Sequence, residues 1–104
     1  MATGTLGQVS LAANTNTTVY TVPAATTATV NISLTNTNNA TPVAIELAVA
    51  ATGTPAANEY LVKGIVLEPN ASFEQTGVVI STGKLVVSKS TGANVSVNVY
   101  GYEV

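Results

Sequence analysis

Asp, His, Cys, Arg and Trp are all absent from the 104 residues of this chain. General acid–base catalysis, nucleophilic triads and tight metal centres draw on those side chains, so their absence favours a structural or binding protein over an enzyme. No catalytic residue, cofactor or metal site is expected. Without cysteine there are no disulfides, and the chain says nothing about its redox compartment. Charge is almost as scarce: Lys63, Lys84 and Lys89 face five glutamates, giving a net charge of −2 and 8% charged residues. Soluble domains usually carry about 25%. With no basic stripe to neutralise phosphates, nucleic acid is not an expected partner. The longest apolar run, Val43 to Ala51, contains Glu46 and falls well short of the ~20 residues that span a bilayer, so no membrane is expected either. Met1-Ala2-Thr3-Gly4-Thr5 shows neither the basic nor the apolar part of a secretory leader. The glycines never cluster into a phosphate-cradling loop, which removes nucleotide sites.

What is present is Thr and Asn at 27 positions and Ala and Val at another 31. Their hydrophobic period is two nearly everywhere, the mark of half-buried antiparallel strands. Val30, Ile32 and Leu34 alternate with Thr29, Asn31, Ser33 and Thr35; Val43, Ile45, Leu47 and Val49 alternate with Ala44, Glu46 and Ala48. Val95, Val97 and Val99 alternate with Asn94, Ser96, Asn98 and Tyr100. Further strands are expected at Leu6–Ala12, Thr18–Val22, Tyr60–Leu67, Ala71–Thr76 and Lys84–Ser88, with Gly77–Ser81 as an ambiguous apolar run. Ala-rich Val43–Ala51 would pass as a helix by propensity, but strict alternation and the preceding Pro42 favour a strand. Asn14–Asn16, Pro23–Ala25, Asn38-Asn39, Thr52–Pro55, Pro69-Asn70, Thr82-Gly83 and Thr91-Gly92 break the runs with turn-forming residues.

About eight short strands around one core predict an all-β, single antiparallel β-sandwich over residues 1–104, either a jelly roll or an immunoglobulin-like Greek key. Residues 1–8 form either the first strand or an extended N-terminal arm reaching a neighbour. Sheet edges are commonly guarded by charge, and eight charged side chains are few for eight strands. An edge or face that meets another protein is therefore expected, with the chain assembling rather than remaining a free monomer.

Glu68 and Glu74 flank the Pro69-Asn70 turn and are the one local pair of carboxylates to set against the ~5–10 Å spacing of a glycosidase. Lacking any companion catalytic group, they read better as solvated residues near a turn. A calcium site without aspartate lacks the usual loop geometry. Five Asn-x-Ser/Thr sequons, at Asn16, Asn31, Asn39, Asn70 and Asn94, arise readily by chance in such a composition. Tyr100 and Tyr102 share the face of the last strand opposite Val95, Val97 and Val99. They either anchor a protein or sugar partner or cover an open end of the core. Gly64 and Gly101 sit inside strand patterns, where glycine marks a bulge or a close backbone approach.

The ordered run Leu6-Gly7-Gln8, then Thr17-Thr18-Val19-Tyr20-Thr21-Val22-Pro23-Ala24, Thr35-Asn36, Tyr60-Leu61, Pro69-Asn70-Ala71-Ser72-Phe73 and Val97-Asn98-Val99-Tyr100-Gly101 resembles small virion proteins of tailed bacteriophages. In such proteins the Tyr-Thr-Val-Pro-Ala segment is often followed by glycine, where this chain has Ala25. The resemblance implies a non-enzymatic β-sandwich accessory protein of a virus particle. Its most expected role is a capsid decoration or cement protein stabilising the head shell, often at local threefold positions as a trimer or other homo-oligomer. A tail, neck or baseplate component, or a carbohydrate-binding host-adsorption module using Tyr100, Tyr102 and the loops at Asn14–Asn16 and Asn36–Asn39, is the alternative. Expected partners are the major capsid protein or other virion proteins, with Leu6, Gln8, Tyr100 and Tyr102 at the contact. The expected location is the virion, on the head surface rather than the tail.

Overall fold

The computed structural model describes residues 2–104. Eight strands run in chain order: β1 (Thr3–Leu11), β2 (Thr17–Thr21), β3 (Ala28–Asn36), β4 (Val43–Ala50), β5 (Tyr60–Leu67), β6 (Ser72–Ile80), β7 (Leu85–Ser90) and β8 (Val95–Glu103). A single 3-10 turn, Ala57–Glu59, precedes β5. The Ala-rich segment from Val43 is a strand, as its alternation and Pro42 require. Ala71–Thr76 and the ambiguous run after it are one strand, β6, interrupted by a bulge.

The pairing is nested. β1 pairs with β8, β2 with β7, β3 with β6 and β4 with β5, all antiparallel, as if one long hairpin had been laid out leg against leg. Rolling that hairpin adds two further pairings, β3 with β8 and β4 with β7. The result is two four-stranded sheets, β1-β8-β3-β6 and β2-β7-β4-β5. This strand order is the jelly roll, the alternative to the immunoglobulin-like order that periodicity alone left open.

Alternation puts the core where it is expected. Val30, Ile32 and Leu34 from β3, Val95, Val97 and Val99 from β8, and Ile45 and Leu47 from β4 are at most 1% exposed. Burying each such side chain contributes roughly 1.5–3 kcal/mol. Ser88 and Ser90 also point inward from β7, and each spends its hydroxyl on a backbone carbonyl, of Glu46 at 2.8 Å and of Gly92 at 2.5 Å. They enter the core without an unpaired polar atom.

The edges are built differently from the centre. The two central pairings, β3 with β8 and β4 with β7, keep continuous register. Every pairing that involves an edge strand slips, and the extra residue always lies on the edge strand: Leu6 in β1, Val19 in β2, the Thr76-Gly77 step in β6, and both Leu61 and Gly64 in β5. Gly64 takes φ +86, a left-handed conformation that glycine adopts without a Cβ penalty. Bulges twist and interrupt an edge so that it cannot template another strand. Four bulged edges therefore add a guard that the scarce charges alone do not supply. β1 is a paired strand from Thr3 onward rather than a free arm; Met1 lies outside the described residues.

Connections gather at two ends. The β1–β2, β3–β4, β5–β6 and β7–β8 connections share one end, which carries Asn14, Asn16, Asn36, Asn38, Asn39, Asn70 and Asn94. Asn36, fully buried, ties this end together: its amide nitrogen donates to the carbonyls of Thr41 at 2.9 Å, Leu67 at 3.0 Å and Glu68 at 3.3 Å. Its amide oxygen accepts from the Asn38 backbone N–H at 3.0 Å and side chain at 2.9 Å. At the opposite end the buried Tyr20 hydroxyl donates to Glu103, whose other oxygen accepts from the Ala2 N–H at 3.1 Å.

Candidate interaction surface

Of the two outer faces, that of β2-β7-β4-β5 is already partly covered. Ala48, Ala50 and Val87 occupy outward positions in the register yet are at most 2% exposed. The connection between β4 and β5 lies over this patch, with Gly53 against Thr18 of β2. Glu59 pins that connection by accepting the N–H groups of Ala56 at 2.8 Å and Ala51 at 3.1 Å, and by pairing with Lys84 at 3.9 Å. Chiefly the Ala56 N–H holds the Glu59 carboxyl below its ordinary value. All three lysines and two glutamates, Glu46 and Glu59, lie on this side.

The outer face of β1-β8-β3-β6 is open and nearly uncharged. Register sets its side chains in four rows across the strands. Thr3, Tyr102, Thr29 and Val79 form the row nearest the chain termini, followed by Thr5, Tyr100 and Asn31 up to the β6 bulge. Gln8, Asn98, Ser33 and Glu74 come next, then Ser10, Ser96, Thr35 and Ser72. Glu74 is the single charge in this array, and the Tyr100 hydroxyl reaches across β3 to donate to it. That hydrogen bond is the main reason the Tyr100 phenol is raised above its ordinary value of 10. The Gln8 amide donates to Asn98 Oδ1 at 2.7 Å, and the Asn31 amide oxygen accepts from Gly77 N–H at 3.0 Å, so the polar rows are cross-linked into a fixed surface.

Three of the four expected contact residues, Gln8, Tyr100 and Tyr102, thus share one face. Leu6 does not: as the extra residue of the β1 bulge it turns half-buried against the core, which removes it from the outer surface. Asn98 could have been found from its place between Val97 and Val99. Asn31, Glu74 and Val79 were not legible as neighbours of the tyrosines, because the β3–β6 register depends on a bulge with no sequence signature beyond Gly77.

The other sequence candidates separate in space. The carbonyl of Glu68 is drawn into the turn by Ala71 N–H and by Asn36, whereas Glu74 faces outward on β6 with Tyr100. Among the described residues no three acidic, His or Cys side chains group as metal ligands would. A shallow recess of about 90 Å³ lies between Asn14, Glu46, Lys89 and Thr91, small beside the ~300–1,000 Å³ of ordinary small-molecule sites. Comparison with protein-family models, with curated proteins and with solved structures finds no match to this chain. The Asn14–Asn16 and Asn36–Asn39 loops sit at the opposite end of β8 from Tyr102, about 25 Å away at ~3.3 Å per strand residue, so loops and tyrosines do not form one site. Asn36 has no amide capacity left for a ligand.

Proposed function

We propose that this protein is a non-enzymatic virion structural protein, a capsid decoration or cement protein that binds the outside of the head shell through the outer face of β1-β8-β3-β6. The observation that carries this reading is the face itself, a rigid array of hydroxyls and amides around Tyr100 and Tyr102 with one charge. Contact surfaces of proteins are depleted in charge at their centre and enriched in tyrosine, and rigid aromatic anchors lose little entropy on docking. The resemblance to small proteins of tailed-phage particles supplies the kind of partner, the major capsid protein. Jelly rolls recur in viral capsid proteins but also in lectins, so the fold supports the reading without deciding it.

Shell stabilisation is tested with particles assembled with and without the chain. Those lacking it should release their genome several degrees lower, and adding the purified protein back should restore the higher release temperature. A Tyr100→Ala, Tyr102→Ala variant should fold normally, since Tyr102 is 48% exposed, yet fail to restore it. Equal release temperatures for the two kinds of particle would rule out a stabilising role.

A further inference from the structure

The outer face of β2-β7-β4-β5 holds an apolar patch that the sheet itself does not cover. Register sets Thr18, Val87, Ala48 and Tyr60 in one outward row, with Thr21, Leu85 and Ala50 in the next. Outward side chains ordinarily meet water, yet Ala48 and Ala50 are 0% exposed and Val87 2%. What shields them is the segment 51–59. It leaves β4, crosses β7 far enough that a Cβ on Gly53 would lie 3.9 Å from Thr18 Oγ1 on β2, and returns to β5. Nine residues long and closed at its neck, it is an Ω-loop laid flat over the sheet as a strap.

Little of the strap's own side-chain surface anchors it. From Ala51 to Asn58 every residue except Pro55 is exposed. Its hydrogen bonds run within the segment: Thr52 with Thr54, and the Glu59 N–H to the Ala56 carbonyl at 3.0 Å. The Glu59 carboxylate closes the neck, one oxygen accepting the Ala56 N–H at 2.8 Å and the other the Ala51 N–H at 3.1 Å. That second oxygen also lies 3.9 Å from the Lys84 ammonium, which ties the strap to the start of β7. Segments with few buried apolar contacts and exposed hydrogen bonds open at a lower free energy than the whole domain. The core does not need the strap in place, since Ile45, Leu47 and Val86 point the other way, between the sheets.

We propose that residues 51–59 form a hinged strap, latched by the Glu59 carboxylate, that lifts from Ala48, Ala50 and Val87 while both sheets stay folded. Opening uncovers an apolar patch on the side of the molecule that carries the lysines. The closed face is thus one that the protein exposes by a local transition. This device is independent of the virion reading, because both states belong to the isolated chain.

The chain has no cysteine, so a single thiol placed under the strap is a clean reporter. Ala48→Cys should react with a thiol reagent far more slowly than a free peptide thiol, at a rate nearly independent of low urea, because local opening exposes little new surface. Ala50→Cys, one row along, should behave alike and serves if Ala48→Cys fails to fold. Ser88→Cys, inward on β7, is the control and should react only through global unfolding, with a steep urea dependence. Adding Glu59→Ala to either strap reporter should speed labelling about tenfold or more, with the Ser88→Cys rate raised much less. Glu59→Gln, which keeps one acceptor oxygen, should fall between, and Lys84→Met should change the rate little, as an ion pair this long and exposed contributes little. Strap reporters as steep in urea as Ser88→Cys, or as reactive as a free thiol, would overturn the proposal. So would a Glu59→Ala variant that labels no faster, or one that speeds Ser88→Cys equally.

Discussion

Ala25 holds φ +55, in the left-handed region that L-residues enter at a cost of roughly 1–2 kcal/mol. The other non-glycine residues there are Asn14, Asn70 and Asn94, and asparagine is the residue type best suited to that conformation. Relieving the strain by Ala25→Gly is opposed by ~0.4–1 kcal/mol from the greater freedom of the unfolded chain. A net gain of about 0.5–1 kcal/mol is expected, raising the melting temperature by a few degrees in calorimetry. No gain would mean that the turn after Pro23 is not strained. At the same end, burial first and then Glu103 push the Tyr20 phenol far above its ordinary value of 10, while the Tyr20 hydrogen bond, followed by the Ala2 N–H, lowers the Glu103 carboxyl. The depressed carboxyl contributes stability that is present above its ordinary value of 4.5 and lost as pH falls below it. The raised phenol contributes stability that is full below pH 10 and lost as pH climbs beyond. Tyr20→Phe should flatten both limbs of the denaturant midpoint against pH; an unchanged acid limb would show that Glu103 does not depend on Tyr20.

Within the strands, Asn36 links the end of β3 to the β3–β4 and β5–β6 connections. Replacing it with alanine leaves the buried carbonyl of Leu67 and the part-buried carbonyl of Thr41 without its donor, at a cost of about 1–3 kcal/mol. Hydrogen exchange should quicken for the Asn38 and Asn70 N–H groups while the Tyr20–Glu103 end stays protected. Uniform quickening at both ends would mean that Asn36 supports global stability only. Strand existence was legible here because Val and Ile alternate with Thr, Asn and Ser, and the Asn-rich breaks fell where the loops are. Gly64 and Gly101 were legible as special positions: Gly64 is a β5 bulge residue, and at Gly101 a Cβ would lie 2.1 Å from the Thr29 carbonyl oxygen. What could not be read was the slip at each edge, since nothing in Leu6, Val19 or Leu61 distinguishes a bulged residue from a paired one. That is why only the fold shows Leu6 half-buried against the core, away from the face that holds Gln8, and shows the edges guarded by bulges as well as by charge. Asn36 belonged to a run of loop asparagines, and only the fold shows that it is a buried clamp.

Over the whole molecule, scarcity of charge resolves into a division of faces. The lysines and the pinned β4–β5 connection occupy one sheet, and the other presents rows around Tyr100 and Tyr102 whose one charge, Glu74, accepts from Tyr100. Half-burial by alternation made the sandwich legible in the sequence, but both sandwich topologies share that alternation, so the jelly-roll order emerges only from the nested pairing. The division of faces was equally hidden, because it depends on which strands are neighbours. It underlies the proposal that the β1-β8-β3-β6 face is the surface applied to a capsid shell. The most direct measurement is a cryo-electron-microscopy difference map between particles assembled with and without this chain. Under that proposal, density for one 104-residue sandwich is expected at repeated sites on the outside of the head, with Tyr100 and Tyr102 turned towards the shell. Density confined to the tail, or a head-bound copy with both tyrosines facing solvent, would contradict it.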